Sequence, residues 1–335
     1  MKGHGDGGLA GIAANVKKSN MLAPWLAFGM LSLVVYGAFS DGDFSFLLTY
    51  ASLTRCFAVT LLVAQLQQSK SASGISSKTL QCYVCVFASR LLSILRHEGY
   101  LPYDRSGDWI YHCIEVGAFL ATLAALALVH GPYSSTYDIT ADGFGAPGVP
   151  SNLGALVLIV PAFVVALLVH PGLNKDVLSD ASWTYAMYLE SFAVLPQLYL
   201  FQKQARRVAT VDYLVGHFVA ALGLPPVWKS NSELGYRQPE RHRTDAGMEA
   251  TSRRWRGAPE VLFPHRLSRV VEMGFWMNSF HELADRNGNR HVGVLVLVAQ
   301  MVHLVIMGDF FYFYLRSVKK GLPIQLPSPS SANMV

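Results

Sequence analysis

A chain of 335 residues in which 52% are hydrophobic and only 15% charged lies outside the range of soluble globular proteins, where about a quarter of residues carry charge. The apolar residues gather into runs near the ~20 needed to cross a hydrocarbon core, and in lipid such runs must be helices, because the backbone has to satisfy its own hydrogen bonds. The formal net charge of +5 sits in short Lys and Arg clusters between those runs, which is the pattern of cytosolic connections and not of a nucleic-acid surface.

In chain order, residues 1–20 are a tail carrying Lys17 and Lys18, and residues 21–40 contain no charge. That length reads as a first transmembrane helix, since a cleaved signal core runs about 7–15 residues. Further spans are expected at 44–65, 79–95, 109–130, 152–170, 183–201 and 292–315, followed by a tail at 316–335. One more span is broken. Apolar character begins at 213–224, stops at Pro225 and Pro226, and resumes near Leu267 after a polar stretch containing Arg237, Glu240, Arg241, Arg243, Arg253, Arg254 and Arg256. Joining 213–224 to 267–282 gives a span of ordinary length, so 225–266 reads as an insert, such as a retained intron.

The basic residues fall on alternate connections: Lys17 and Lys18, then Lys70 and Lys78, then Lys203, Arg206 and Arg207, and last Arg316, Lys319 and Lys320. The positive-inside rule places that side, and both termini, in the cytosol. The four cysteines, Cys56, Cys82, Cys85 and Cys113, lie in apolar segments and read as small buried hydrophobes. Cys82 and Cys85 form a CxxC with no second pair or nearby histidines. With no metal spacing, Gly-rich phosphate loop or nucleophile–base pair, neither an enzyme nor a metal or other cofactor is expected.

Ionisable residues inside spans cost at least about 2.5–3.5 kcal/mol each, so those that persist mark function or pair with one another. Here they are Arg55, Arg90, Glu115, Glu190, Arg269, Glu272 and Asp309. Two readings stand: the three arginines are neutralised by the three glutamates as internal ion pairs, or they receive an acidic ligand group, for which the planar fork of Arg suits a carboxylate. Asp180, just before Trp183, reads either as acceptor for a ligand amine or as an acid favoured in a helix first turn. Trp183 and Trp276 read as cavity walls or as interface-belt residues.

The segment Trp183-Thr-Tyr-Ala-Met-Tyr-Leu-Glu-Ser-Phe-Ala-Val-Leu-Pro-Gln-Leu198 is similar to the W-T-F-S-I-Y-L-E-S-V-A-I-L-P-Q-L signature of the KDEL-receptor family, the ER lumen protein-retaining receptors. Gly74-Ile75-Ser76 with Lys78, Arg90 twelve positions beyond that lysine, Thr136-Tyr137-Asp138, the Val160-Pro161 span ending at His170, and Asp309-Phe310-Phe311-Tyr312 also correspond. The resemblance covers residues 44–315, outside the insert, and runs on to about Pro327.

It implies an all-α membrane fold, a seven-helix KDEL-receptor, SWEET and PQ-loop-like bundle of two three-helix halves plus a linker helix, here with one additional N-terminal transmembrane helix. It implies binding of the C-terminal tails of ER-resident luminal proteins, with vesicle coat proteins met through the cytosolic tail, in the endoplasmic reticulum and Golgi membranes. Carried over by position, Arg90, Arg269, Asp180, Trp183 and Trp276 belong to the ligand site, joined by Arg55 where the family has a histidine. Glu190, Asp309, Lys319 and Lys320 are support or trafficking positions. The sequence departs from the family at Leu48 and Ser279, which replace arginines, and at Ser93 and Gly293, which replace aspartates. His303 is a candidate substitute for the missing histidine. The alternatives are a PQ-loop small-solute transporter, with Pro196 and Gln197 as a hinge, and a trafficking protein that has lost peptide binding.

Overall fold

The structure is a computed structural model, and it describes residues 28–38, 46–97, 108–172, 176–205 and 291–320 together with Val215, Phe218, Val219, Trp276 and Met277. The insert at 225–266, the tails at 1–20 and 321–335, and Arg269 and Glu272 lie outside the described residues.

Described residues form helices α1 (Phe28–Ala38), α2 (Phe46–Ser69), α3 (Ser77–Ile94), α4 (Asp108–His130), α5 (Leu156–Leu168), α6 (Val177–Phe192), α7 (Leu195–Ala205) and α8 (His291–Lys320). Short 3-10 turns occur at Ser134–Thr136 and Ser151–Leu153. The protein is an all-α membrane protein. Among the described residues, four stretches are long and apolar enough to cross a bilayer: Leu48–Ser69, Trp109–His130, Ser151–Leu168 and His291–Gly308. α6, at 16 residues, is too short to be among them, and α3 does not reach that apolarity, for which packing gives the reason. α3 contacts α4, α5, α6 and α7, so protein and not lipid surrounds it. Serines, Lys78 and Arg90 are therefore tolerated on a helix with most of its residues buried. α5, by contrast, buries only Ala166 and exposes a lipid-compatible surface that includes Val160, Phe163 and Leu168.

α1 docks on α2 through Phe28, which is buried and stacks on Phe57 with ring centroids 4.4 Å apart. The span expected at 183–201 is interrupted: the chain turns at Ala193 and Val194 between α6 and α7. Pro196 sits in the first turn of α7, where a missing N–H costs no helix bond, so it starts a helix and does not kink one.

The end of the bundle that holds Lys70, Lys78 and Lys203 is cross-tied by polar side chains. Asp142 is fully buried; its carboxylate accepts from Ser76 Oγ (2.8 Å), the Ser77 amide (3.0 Å) and Tyr137 Oη (2.7 Å). Lys78 Nζ donates to the Asp142 carbonyl and stands 4.0 Å from its carboxylate. Lys78, counted in the sequence with the connection lysines, is thus buried, because Asp142 neutralises it at the start of α3. Burial, and then the bond to Asp142, push the Tyr137 hydroxyl above its ordinary range. Gln197 completes the tie: its Oε1 accepts from the Ser76 amide and its Nε2 donates to the Gly74 carbonyl, both at 2.8 Å. Only glycine fits at 154, since a Cβ there would lie 2.0 Å from the Phe144 carbonyl oxygen.

At the other end Asp176 caps α6, accepting from the Leu178 amide at 3.1 Å and from Arg96 Nε at 2.7 Å. The Arg96 guanidinium holds its carboxyl below the ordinary value of 3.8. A depressed acid stabilises the fold above its unfolded pKa and loses that contribution only as the pH falls through the lower folded value. Mildly acidic pH therefore leaves this tie intact.

Breaking the polar tie has a measurable consequence. Asp142→Asn leaves Lys78 buried without its carboxylate and lowers stability by about 3 kcal/mol, read as a fall in unfolding temperature of the detergent-solubilised protein; an unchanged unfolding temperature contradicts this account of the tie.

Candidate ligand cavity

Four buried ionisable side chains meet in the half of the bundle away from Asp142. Arg55 comes from α2, Arg90 from α3, Glu115 from α4 and Glu190 from α6, and all are 5% exposed or less. Helical periodicity brings them inward: Arg90 shares a face of α3 with buried Phe87, Val86 and Ile94, and Glu190 lies one residue beyond buried Leu189 and seven beyond Trp183.

Glu115 Oε1 gathers three donors: Ser52 Oγ at 2.7 Å, Arg90 Nη1 at 3.3 Å and Arg55 Nη2 at 3.4 Å. Arg55 Nη2 also donates to Ser52 Oγ at 2.7 Å. Glu190 binds Arg90 Nη2 through Oε2, and its Oε1 stands 3.7 Å from Arg55 Nε. Each glutamate thus contacts both arginines, and the charges of the quartet cancel. This is the internal pairing that the sequence offers as one reading, realised for Arg55 and Arg90.

Above the quartet is a cavity. Arg55, Arg90 and Glu190 form its charged floor, and Tyr111, Trp183 and Trp276 its aromatic wall, with Leu48, Met187, Val296 and Gln300 completing the lining. Trp183 and Trp276 meet edge to face with centroids 6.1 Å apart. These tryptophans are cavity walls, since both are buried and not at an interface. Such a chamber offers guanidinium groups for a carboxylate and ring faces for the apolar parts of the same ligand.

Comparison with known proteins agrees with this architecture. The family profile described as ER lumen protein retaining receptor matches residues 71–228, spanning α3 to α7. Among curated relatives, ER lumen protein-retaining receptor B of Arabidopsis thaliana is 26% identical over 276 residues, 82% of this chain and 96% of the relative. The Drosophila melanogaster ER lumen protein-retaining receptor is 23% identical over 277 residues, and receptor 2 of Xenopus tropicalis is 25% identical over 276; each alignment covers 82% of this chain and 96% of the relative. The chain is thus similar to ER lumen protein-retaining receptors over 82% of its length, at 23–26% identity. The match to the family profile ends at residue 228, close to the start of the stretch read as an insert.

Of the candidate positions, Arg55, Arg90, Glu190, Trp183 and Trp276 come together at one cavity. Asp180 does not line it; it is buried in the first turn of α6, with its carbonyl accepting from Thr184 Oγ1 at 2.8 Å. Arg269 lies outside the described residues, and of Asp309, Lys319 and Lys320 only the helical backbone of α8 is described. His303 is buried in α8 and is not part of the lining. Leu48, where the family has an arginine, gives the wall an apolar face. Sequence reasoning missed Ser52, Tyr111 and Gln300. Gln300 carried a usable signal, a buried amide in an otherwise apolar span, with its Oε1 lacking a hydrogen-bond partner among the described residues. Tyr111 is buried one turn before Glu115.

The quartet makes a directional forecast. Glu190→Ala removes a partner from both arginines and lowers stability by about 3 kcal/mol, whereas Trp276→Phe, which keeps an aromatic wall, costs less than about 1.5 kcal/mol; thermal unfolding of the two variants in detergent orders them, and the reverse order contradicts the assignment.

Proposed function

We propose that this chain is a non-enzymatic receptor that binds C-terminal tails of the KDEL or HDEL kind on luminal proteins and returns them from the Golgi to the endoplasmic reticulum in vesicles. The observation that carries the reading is the cavity with Arg90 on its floor and three aromatic rings on its wall. A tail of this kind ends in a carboxylate, which a guanidinium meets with two parallel hydrogen bonds, next to a leucine side chain that aromatic rings can cover. The cavity lies in the half of the bundle away from the basic end, the side that the positive-inside rule assigns to the lumen. Arg269 is the second ligand arginine of the proposal, and Asp180 stabilises the luminal start of α6. Asp309, Lys319 and Lys320 are the trafficking positions of the proposal, with the two lysines at the cytosolic tail, where coat proteins select the loaded receptor.

The small-solute transporter is the competing reading. Transport needs the chamber to open at each end in turn, so that reading requires the buried tie of Lys78, Asp142, Ser76 and Gln197 at the basic end to break. A receptor needs only one opening and leaves the tie intact.

Binding of a fluorescent peptide ending in the free carboxylate of KDEL to the purified full chain tests the proposal. Saturable binding is expected, with loss on amidation of the C-terminus and at least about 30-fold weakening in Arg90→Ala, corresponding to ~2 kcal/mol for one partner of a buried charge-assisted bond. Equal binding of the acid and the amide would sink the reading.

A further inference from the structure

We infer that Glu115, paired with Arg55, is a built-in counterion that sets how strongly the cavity attracts a ligand carboxylate. This inference rests on the reading of the cavity as a carboxylate site.

The charges decide it. Arg55 and Arg90 bring two positive charges and Glu115 and Glu190 two negative ones, so among the described residues the charges at the floor cancel before any ligand arrives. Arg55 and Glu115 are closed on each other on the adjacent helices α2 and α4. Ser52 Oγ receives Arg55 Nη2 and donates to Glu115 Oε1, each at 2.7 Å, and the guanidinium reaches the same oxygen directly at 3.4 Å. Both members are 1% exposed. Glu115 does not line the cavity, whereas Arg90 and Glu190 do. It therefore acts on a ligand through charge and through Arg90, which it holds at 3.3 Å, and is a positioning residue.

A carboxylate added to this balanced set of four charges brings one more negative charge, which is unfavourable at low effective dielectric. Removing the charge of Glu115 makes the floor positive and favours the carboxylate. Removing the charge of Arg55 makes the floor negative and opposes it. Removing both restores neutrality. Opposite signs for the two single variants are the signature of a counterion pair; two residues that merely brace the fold weaken binding in the same direction.

The experiment uses the full chain in nanodiscs, with a KDEL-ended peptide and with acetate as a small carboxylate probe. Glu115→Gln is expected to bind the peptide at least about tenfold tighter and Arg55→Gln about tenfold weaker, the consequence of one like or unlike charge beside the ligand. The double variant is expected to bind more tightly than Arg55→Gln. Should Glu115→Gln alone fail to fold, that last comparison decides the sign. Acetate is expected to raise the unfolding temperature of Glu115→Gln, or of the double variant relative to Arg55→Gln, more than that of the wild type. Weaker or unchanged peptide binding in Glu115→Gln, both singles moving together, or equal acetate responses overturn the inference. Absence of peptide binding in every form, with the differential acetate response retained, removes the peptide reading and keeps the counterion.

Discussion

Charge cancellation between Arg55, Arg90, Glu115 and Glu190 is the constraint on which the rest of this structure depends. Each of these groups alone in a bilayer span would cost several kilocalories per mole, and each is nearly fully buried. Two arginines and two glutamates from four different helices can be tolerated only if those helices meet, so the quartet fixes how α2, α3, α4 and α6 face one another. The apolar packing around it, with Leu62, Tyr83, Val86, Phe87 and Leu189 in one cluster, supplies the non-directional attraction; the ion pairs specify the arrangement.

The same constraint shapes the cavity. Because the guanidinium groups are already engaged, the chamber does not hold bare cations waiting for an anion; it holds a balanced set in which a ligand carboxylate has to compete with Glu190 for Arg90. Affinity is then a difference between two similar interactions. At the basic end a second balanced set, Lys78 with Asp142, sits beside backbone caps from Ser76 and Gln197 and closes the bundle. One end of the molecule thus presents a walled chamber and the other a polar tie.

Much of this was legible in the sequence, and the reasons it was or was not are physical. Apolar runs reveal lipid-facing helices such as α4 and α5, because lipid demands uniform apolarity. They describe α3 less well, since a helix enclosed by four others can carry Lys78, Arg90 and four serines and threonines. The interruption at Ala193 and Val194 was not visible, because both residues are apolar and only the following Pro196 hints at a helix start. Among site residues, Arg90, Glu190, Trp183 and Trp276 were recoverable from charge and from the Trp183–Leu198 segment. Which glutamate meets which arginine was not, because that depends on the rotation of α4 against α2. Ser52 was invisible for the same reason: a serine in a helix declares nothing until its neighbours across the bundle are known.

The most direct measurement of the central claim is a structure of the full chain with a KDEL-ended peptide bound. The account predicts the terminal carboxylate within hydrogen-bond distance of Arg90, with the leucine side chain against Trp183 and Trp276, and Glu115 still on Arg55. A peptide seated elsewhere, or an Arg90 that remains wholly on Glu115 and Glu190 with the peptide in the cavity, would contradict it.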